Sequence, residues 1–318
     1  GIRDVERSRG LGDVYKRQVT DYGLVNMSPR ISLLADNSVI VSCTHNDSRV
    51  FIQRISSEGN LVFDGGLIIE HETKAFIVPQ SIKSSYDSFL IQWIGQSPGW
   101  PIYSEIFLQK FSLNGETTWD EPTTVMESTV LPMGNFSQQL IANLDGNSFS
   151  AWTQFSGNVQ NAVVQFISEQ GDLIWDNEID LSTNSSHFRM SPKVIISEES
   201  HNLIAVWKET NGSQTQRGIV AQKLNESGTR MWNSNGINIV ELNSEYDYLD
   251  LSPVGFGEDV EIKTLWTSFL CAFKAVSTLD LKLHWSHLWS TQSILVKFLS
   301  TLTSSVLLIQ QFFLCFSR

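Results

Sequence analysis

Four histidines, His45, His71, His187 and His201, are the residues of the 19–257 region best suited to proton transfer or metal ligation. None recurs at a fixed place in the pattern described below, and none has a metal-ligand neighbour at zinc spacing. His45 and His201 fall in predicted turns, where a solvated ring is expected. The acidic turns "DNEID" (176–180) and "EYDYLD" (245–250) offer calcium-type oxygens. Neither follows an EF-hand or a nonapeptide calcium pattern, so both read as solvated loops. No GxSxG and no glycine-rich phosphate loop after a strand is present. Two carboxylates on facing loops would make a glycosidase, but one sequence cannot pair them. No catalytic, cofactor-binding or metal-binding residue is assigned, and no cofactor is expected.

Between residues 19 and 257 there are 12 Lys and Arg against 27 Asp and Glu. Such an acidic surface repels phosphate backbones and excludes nucleic acid as a partner. The chain has three cysteines, Cys43, Cys271 and Cys315. Only Cys43 lies in this region, so no disulfide framework exists there. It stands where other units carry Trp, and is expected to be a small buried hydrophobe. Asn46, Asn135, Asn184, Asn211 and Asn225 head Asn-x-Ser triplets, which fits polar surface loops.

What must position any site is a repeat. Gln53, Gln109, Gln165 and Gln222 follow one another at intervals of 56, 56 and 57 residues. Six residues after each comes Gly59, Gly115, Gly171 or Gly228. Four further on comes Phe63, Trp119, Trp175 or Trp232. Upstream, Cys43, Trp93, Trp152 and Trp207 end apolar runs such as "SFLIQW" and "NLIAVW", each preceded by turn formers. Pro29, Pro79 and Pro192 open three units, Pro253 opens a fifth, and the third has "NFSQQL" instead. Each unit holds four short runs rich in Val, Ile, Phe and Trp, which read as strands. Four strands per repeat of this length is the pattern of a propeller blade.

The predicted fold is therefore all-β, an incomplete β-propeller of about four four-stranded blades near 28–78, 79–135, 136–190 and 191–250, with a fifth beginning at 251. The glycine should turn a hairpin between third and fourth strands at positive φ. The aromatic should start the fourth strand and pack between neighbouring blades. Strand alternation puts each Gln on one face with apolar residues, Phe51 and Ile55 in the first unit. A buried amide there reads as a structural clasp; the alternative is four glutamines lining a ligand channel.

The ends differ from this core. Residues 8–18, "SRGLGDVYKRQ", resemble the translation of a sequencing-library adapter, so 1–18 are set aside as a non-native artefact. Residues 258–318 contain no Gly, Pro or Asn and are rich in Leu, Ser, Phe and Trp. Out-of-frame translation is the preferred reading of this tail. A helical cap is one alternative. Another is a membrane helix near 293–316, interrupted by Lys297, Gln310 and Gln311.

The succession "LIAVW" then "GIVAQKLNESGTRMWNSNGINIV" (203–240) resembles the blades of large secreted bacterial proteins exported by type IX secretion. The resemblance covers about 19–257, with Cys43 and Phe63 departing from its Trp positions. It implies export and an extracellular or cell-surface location. "SEQGDLIW" and "SLNGETTW" are not sialidase Asp-boxes, because the Asp between Ser and Gly is missing. A quinoprotein docking turn shares the Gly-to-Trp spacing and lacks the Lys after Gly. Three functions are carried forward. The first is a non-enzymatic surface module binding carbohydrate or protein through its loops. The second is a carbohydrate-active, glycosidase-type enzyme or its accessory domain. The third is a structural spacer. A membrane partner follows only if 293–316 is a genuine segment.

Overall fold

The computed structural model describes residue 19 and residues 26–129, 138–197, 201–245, 247–256, 259–267, 281–288 and 291–298. Among the described residues every regular element is a strand. The first sheet comprises β1 (Asn26–Leu33), β2 (Val39–His45), β3 (Arg49–Ile55) and β4 (Leu67–Ile69). The second comprises β5 (Ala75–Lys83), β6 (Ser88–Gln96), β7 (Ser104–Ser112) and β8 (Thr123–Thr129). The third comprises β9 (Gln138–Ala142), β10 (Ser148–Ser156), β11 (Val159–Ile167) and β12 (Ile179–Asp180). The fourth comprises β13 (Phe188–Ile196), β14 (Leu203–Thr210), β15 (Arg217–Leu224) and β16 (Ile237–Asn243). Each is an antiparallel meander in chain order. These are the four blades expected from the repeat, and they do not close into a ring.

A fifth sheet follows, from β17 (Asp247–Phe256), β18 (Asp259–Thr267), β19 (Leu281–Leu288) and β20 (Thr291–Phe298). Its order is β17-β18-β20-β19, so it departs from the meander of the other four. Residues 293–298 of the segment considered as a membrane helix run in β20, and 299–318 lie outside the described residues, as do 1–18. Among the described residues no helix is long and apolar enough to cross a membrane.

The second strand of each blade explains the stacking. In β6, "SFLIQWIGQ", all but the last residue are buried. A strand covered on both faces reads as a continuous apolar run rather than an alternation. The cores accordingly lie between sheets. Trp93 packs with Ile40, Val50 and Ile52 of the first sheet. Trp152 packs with Leu90 and Leu108 of the second. Trp207 packs with Phe149, Phe166 and Ala151 of the third. Each of these tryptophans thus faces the sheet before its own.

The first strands carry a shared distortion. Ser28, Val78 and Ser191, each just before a proline, adopt φ of 52°, 50° and 55°, and the strand register shifts there. A non-glycine residue in that region is disfavoured. The preceding sheet holds two of them: Val78 N donates to Thr44 Oγ1 at 2.8 Å and Ser191 N to Thr153 Oγ1 at 2.9 Å. The third unit, without the proline, runs in unbroken register through β9.

Candidate functional site

The four repeat glutamines are all buried, at 3% exposure or less. Gln53 Nε2 donates to Phe63 O at 2.8 Å, and its Oε1 accepts from Phe63 N at 3.0 Å and Arg54 N at 2.9 Å. Gln109 and Gln165 repeat the bond to Trp119 O and Trp175 O, at 3.3 and 3.1 Å. Gln222 shifts by one residue, donating to Asn233 O at 2.7 Å while accepting from Trp232 N at 3.2 Å. Each amide therefore ties its own blade's third strand to the loop that carries the aromatic. A buried amide left without these partners would cost about 1–3 kcal/mol.

The hairpin glycines all have positive φ, from 77° to 95°. Each N–H donates back to the residue three before it, as Gly171 does to Ser168 O at 3.0 Å. The turn closes on a short bridge, Ile167 to Leu173 in the third blade. The fourth strand starts later than expected: Trp175 lies in the loop, and β12 begins at Ile179. The bridge uses up the strand pairing at the turn, so the chain must cross a loop before pairing again. That loop aims the aromatic at the next blade. A Cβ on Gly115 would meet Phe63 at 3.0 Å; on Gly171, Trp119 at 2.9 Å; on Gly228, Trp175 at 3.2 Å. Trp119 and Trp175 also donate from Nε1 across the junction, to Glu169 O at 3.0 Å and Glu226 O at 2.9 Å.

The chemistry-bearing histidines fall in separate places. His45 is buried at the end of β2, its Nδ1 2.9 Å from Asn26 Oδ1, rather than in a solvated turn. The strand runs two residues beyond Cys43, which is itself buried, and carries the ring inward against Phe51. His71 is exposed and its Nδ1 accepts from Thr73 N at 3.1 Å. His201 is half-exposed, 3.9 Å from Glu226 and 4.0 Å from Asp145. His187 does have a carboxylate partner, Glu209 Oε1 at 2.7 Å, which the sequence did not reveal.

Glu209 belongs to a buried charged cluster between the third and fourth blades. Its second oxygen accepts from Trp207 Nε1 at 3.0 Å, so both oxygens are engaged. Arg189, 2% exposed, donates to Asn161 Oδ1, to Asn184 O and to Ser182 O, while its Nε has no partner. Burial draws Arg189 below its usual range, and the charges of Asp180 and Glu209 act against that. Burial pushes the Asp180 carboxyl up, opposed by Arg189 and Arg230. The "DNEID" turn ends at this residue, whose backbone carbonyl accepts from Arg230. No group of three or more metal-ligating side chains occurs among the described residues.

A different kind of surface lies on the β6–β7 hairpin. Trp100 is 78% exposed, with Ile102 and Tyr103 beside it in the chain at 37% and 45%. The loop is closed at its base, Ser97 N donating to Tyr103 O at 2.9 Å and Tyr103 N to Ser97 Oγ at 3.0 Å. A stiff loop holding an aromatic face in water loses little freedom on binding.

No protein-family model matches this chain, and no curated protein matches it. Solved structures do resemble it. A protein of unknown function from Dyadobacter fermentans DSM 18053 aligns at 10% identity and a TM-score of 0.50, over 88% of this chain and 95% of that one. The α-L-arabinofuranosidase Arb93A from Fusarium graminearum aligns at 11% identity and a TM-score of 0.49, over 86% and 92%. An endo-arabinase from Bacteroides thetaiotaomicron VPI-5482 aligns at 12% identity and a TM-score of 0.40, over 88% and 95%. At such identities what the first of these shares with this chain is its fold.

Proposed function

We propose that this chain is a non-catalytic, secreted or cell-surface module that binds a neutral carbohydrate, with Trp100 as the platform. The observation that carries the proposal is an indole 78% exposed on a loop pinned at its base. Leaving so large a ring in water is unfavourable unless something covers it. The face of an aromatic ring is electronegative and attracts the polarised C–H groups of a sugar ring. A sugar needs one such face, whereas a stable protein interface buries about 1,200–2,000 Å², more than three adjacent loop residues supply. The acidic net charge of −12 disfavours acidic polysaccharides. The test is calorimetry of the full chain against neutral plant and bacterial polysaccharides. Trp100→Ala should weaken binding about tenfold or more, worth about 1.4 kcal/mol, with an unchanged Tm. Equal binding by wild type and variant, or none to any glycan, contradicts the proposal.

A glycosidase-type enzyme is the second reading, favoured by Asp180. Its carboxyl and that of Glu209 both act on Arg189 at the third junction and would be the two carboxylates of such an enzyme. Release of reducing sugar that Asp180→Asn abolishes would establish it; no turnover above background by wild type would dismiss it.

A further inference from the structure

At three junctions the same contact recurs: the ring of one blade lies on the hairpin glycine of the next, Phe63 on Gly115, Trp119 on Gly171 and Trp175 on Gly228. The fourth glycine of the series breaks the pattern. A Cβ on Gly59 would meet nothing within 4 Å, although its φ of 83° and its turn match the others.

The opening extends across that face of the first sheet. Strand register aligns Ile31 with Ser81, Leu140 and Val194, each paired to the residue facing the repeat glutamine. Ile31 is 72% exposed, and its three counterparts are 6%, 3% and 0% exposed. Val41 is likewise only half-buried, while its counterparts Ile91, Ser150 and Ala205 are fully buried. Leu33, at the end of β1, is 65% exposed. Apolar side chains and an empty glycine seat thus occupy the positions that are covered, in each of the next three blades, by the sheet before it.

We propose that this face docks one more unit of the same repeat, joined ahead of β1, which would set its post-glycine aromatic on Gly59. A second copy of this chain is a poorer occupant. Its Phe63, Trp119 and Trp175 are already seated on glycines, and its Trp232 packs with the cluster that includes Tyr248 and Leu251 of β17. The specificity of the seat comes from shape: a glycine with positive φ leaves a flat patch that a planar ring fills.

The test inserts a copy of residues 138–187 ahead of Asn26 in the full chain. The expected result is a single cooperative transition, raised by about 4 °C or more, with a blue-shifted emission from the added copy of Trp175 once the added copy of Trp152 is replaced by Phe. The same insert with Trp175→Ala in the added copy should lose most of the gain. Ile31→Lys with Leu33→Lys should cost little in the original chain and abolish the gain in the extended one. An insert that melts separately, or a gain indifferent to both changes, overturns the proposal. So does sedimentation showing that the original chain forms a dimer which Ile31→Lys disperses, since the occupant would then be a second copy.

Discussion

Gly59 and Gly171 occupy the same place in two hairpins of the same geometry, and they differ only in what stands against them. Gly171 carries the indole of Trp119; Gly59 faces open space. The second strands differ in size rather than in burial: Trp207 is fully buried against the third sheet, and the equivalent place in the first sheet holds the smaller Cys43, also buried. What a blade needs for its own shape is present in both: the glutamine clasp, the bridge and the turn. What differs is the junction. The repeat therefore encodes two separable things, a self-contained meander and a one-way contact from each blade to the next.

The largest effect that separates them is at the second strand. Trp207→Ala should cost about 3–5 kcal/mol by opening a cavity in the core between the third and fourth blades. Cys43→Ala should cost about 1 kcal/mol. Chemical denaturation of both variants checks this, and a Trp207→Ala loss no larger than that of Cys43→Ala would mean that the indole contributes nothing to the junction.

The clasp should behave oppositely, because it lies within a blade. Gln165→Leu and Gln53→Leu should each cost about 1–3 kcal/mol, with little difference between them. A loss confined to Gln165 would show that the clasp depends on the junction after all.

The smallest effect concerns the charged cluster at the third junction. Burial holds the Asp180 carboxyl above its usual range. A carboxyl raised in the folded state favours folding at low pH, and that contribution is lost as pH rises through the folded value. Asp180→Asn removes the titration, so its Tm relative to wild type should rise between acid and neutral pH. Thermal melts across that range would contradict the assignment if the difference stayed flat or fell.

The blades were legible because their signals are local. Gln53, Gly59 and Phe63 sit within one hairpin, and their spacing alone puts amide and aromatic in reach of each other. The pairing of Phe63 with Gly115 was not legible, because it joins residues one repeat apart and both motif positions look alike in every unit. The aromatic's place in a loop rather than at the head of the fourth strand depends on the bridge at the turn, which no residue type announces. The cluster of His187, Arg189, Glu209, Asn161 and Asp180 was missed for a further reason. Its members come from four strands of two blades and from the residue before β13; Glu209 stands where Gln154 accepts from Trp152 Nε1 in the third unit, and a position that holds a neutral amide there does not announce a charged cluster. His45 was misplaced because β2 runs one residue into the turn-like "HNDS", and that last strand residue carries its ring inward against Phe51.

The central claim is that an aromatic seated on the next blade's glycine sets the junction. The measurement that tests it most directly is a double-mutant cycle of Trp119→Ala and Gly171→Ala, with Gly59→Ala as the reference. Backbone strain at positive φ should cost about 1–2 kcal/mol at either glycine. Gly171→Ala should cost more than Gly59→Ala in the wild-type background, because its methyl group collides with the indole. Removing the ring should bring the Gly171 penalty down toward that of Gly59, with Thr123 Oγ1 at 3.0 Å still standing against the added methyl, a coupling of about 0.5–3 kcal/mol. Penalties that simply add, with Gly59 and Gly171 equal from the start, would contradict the account.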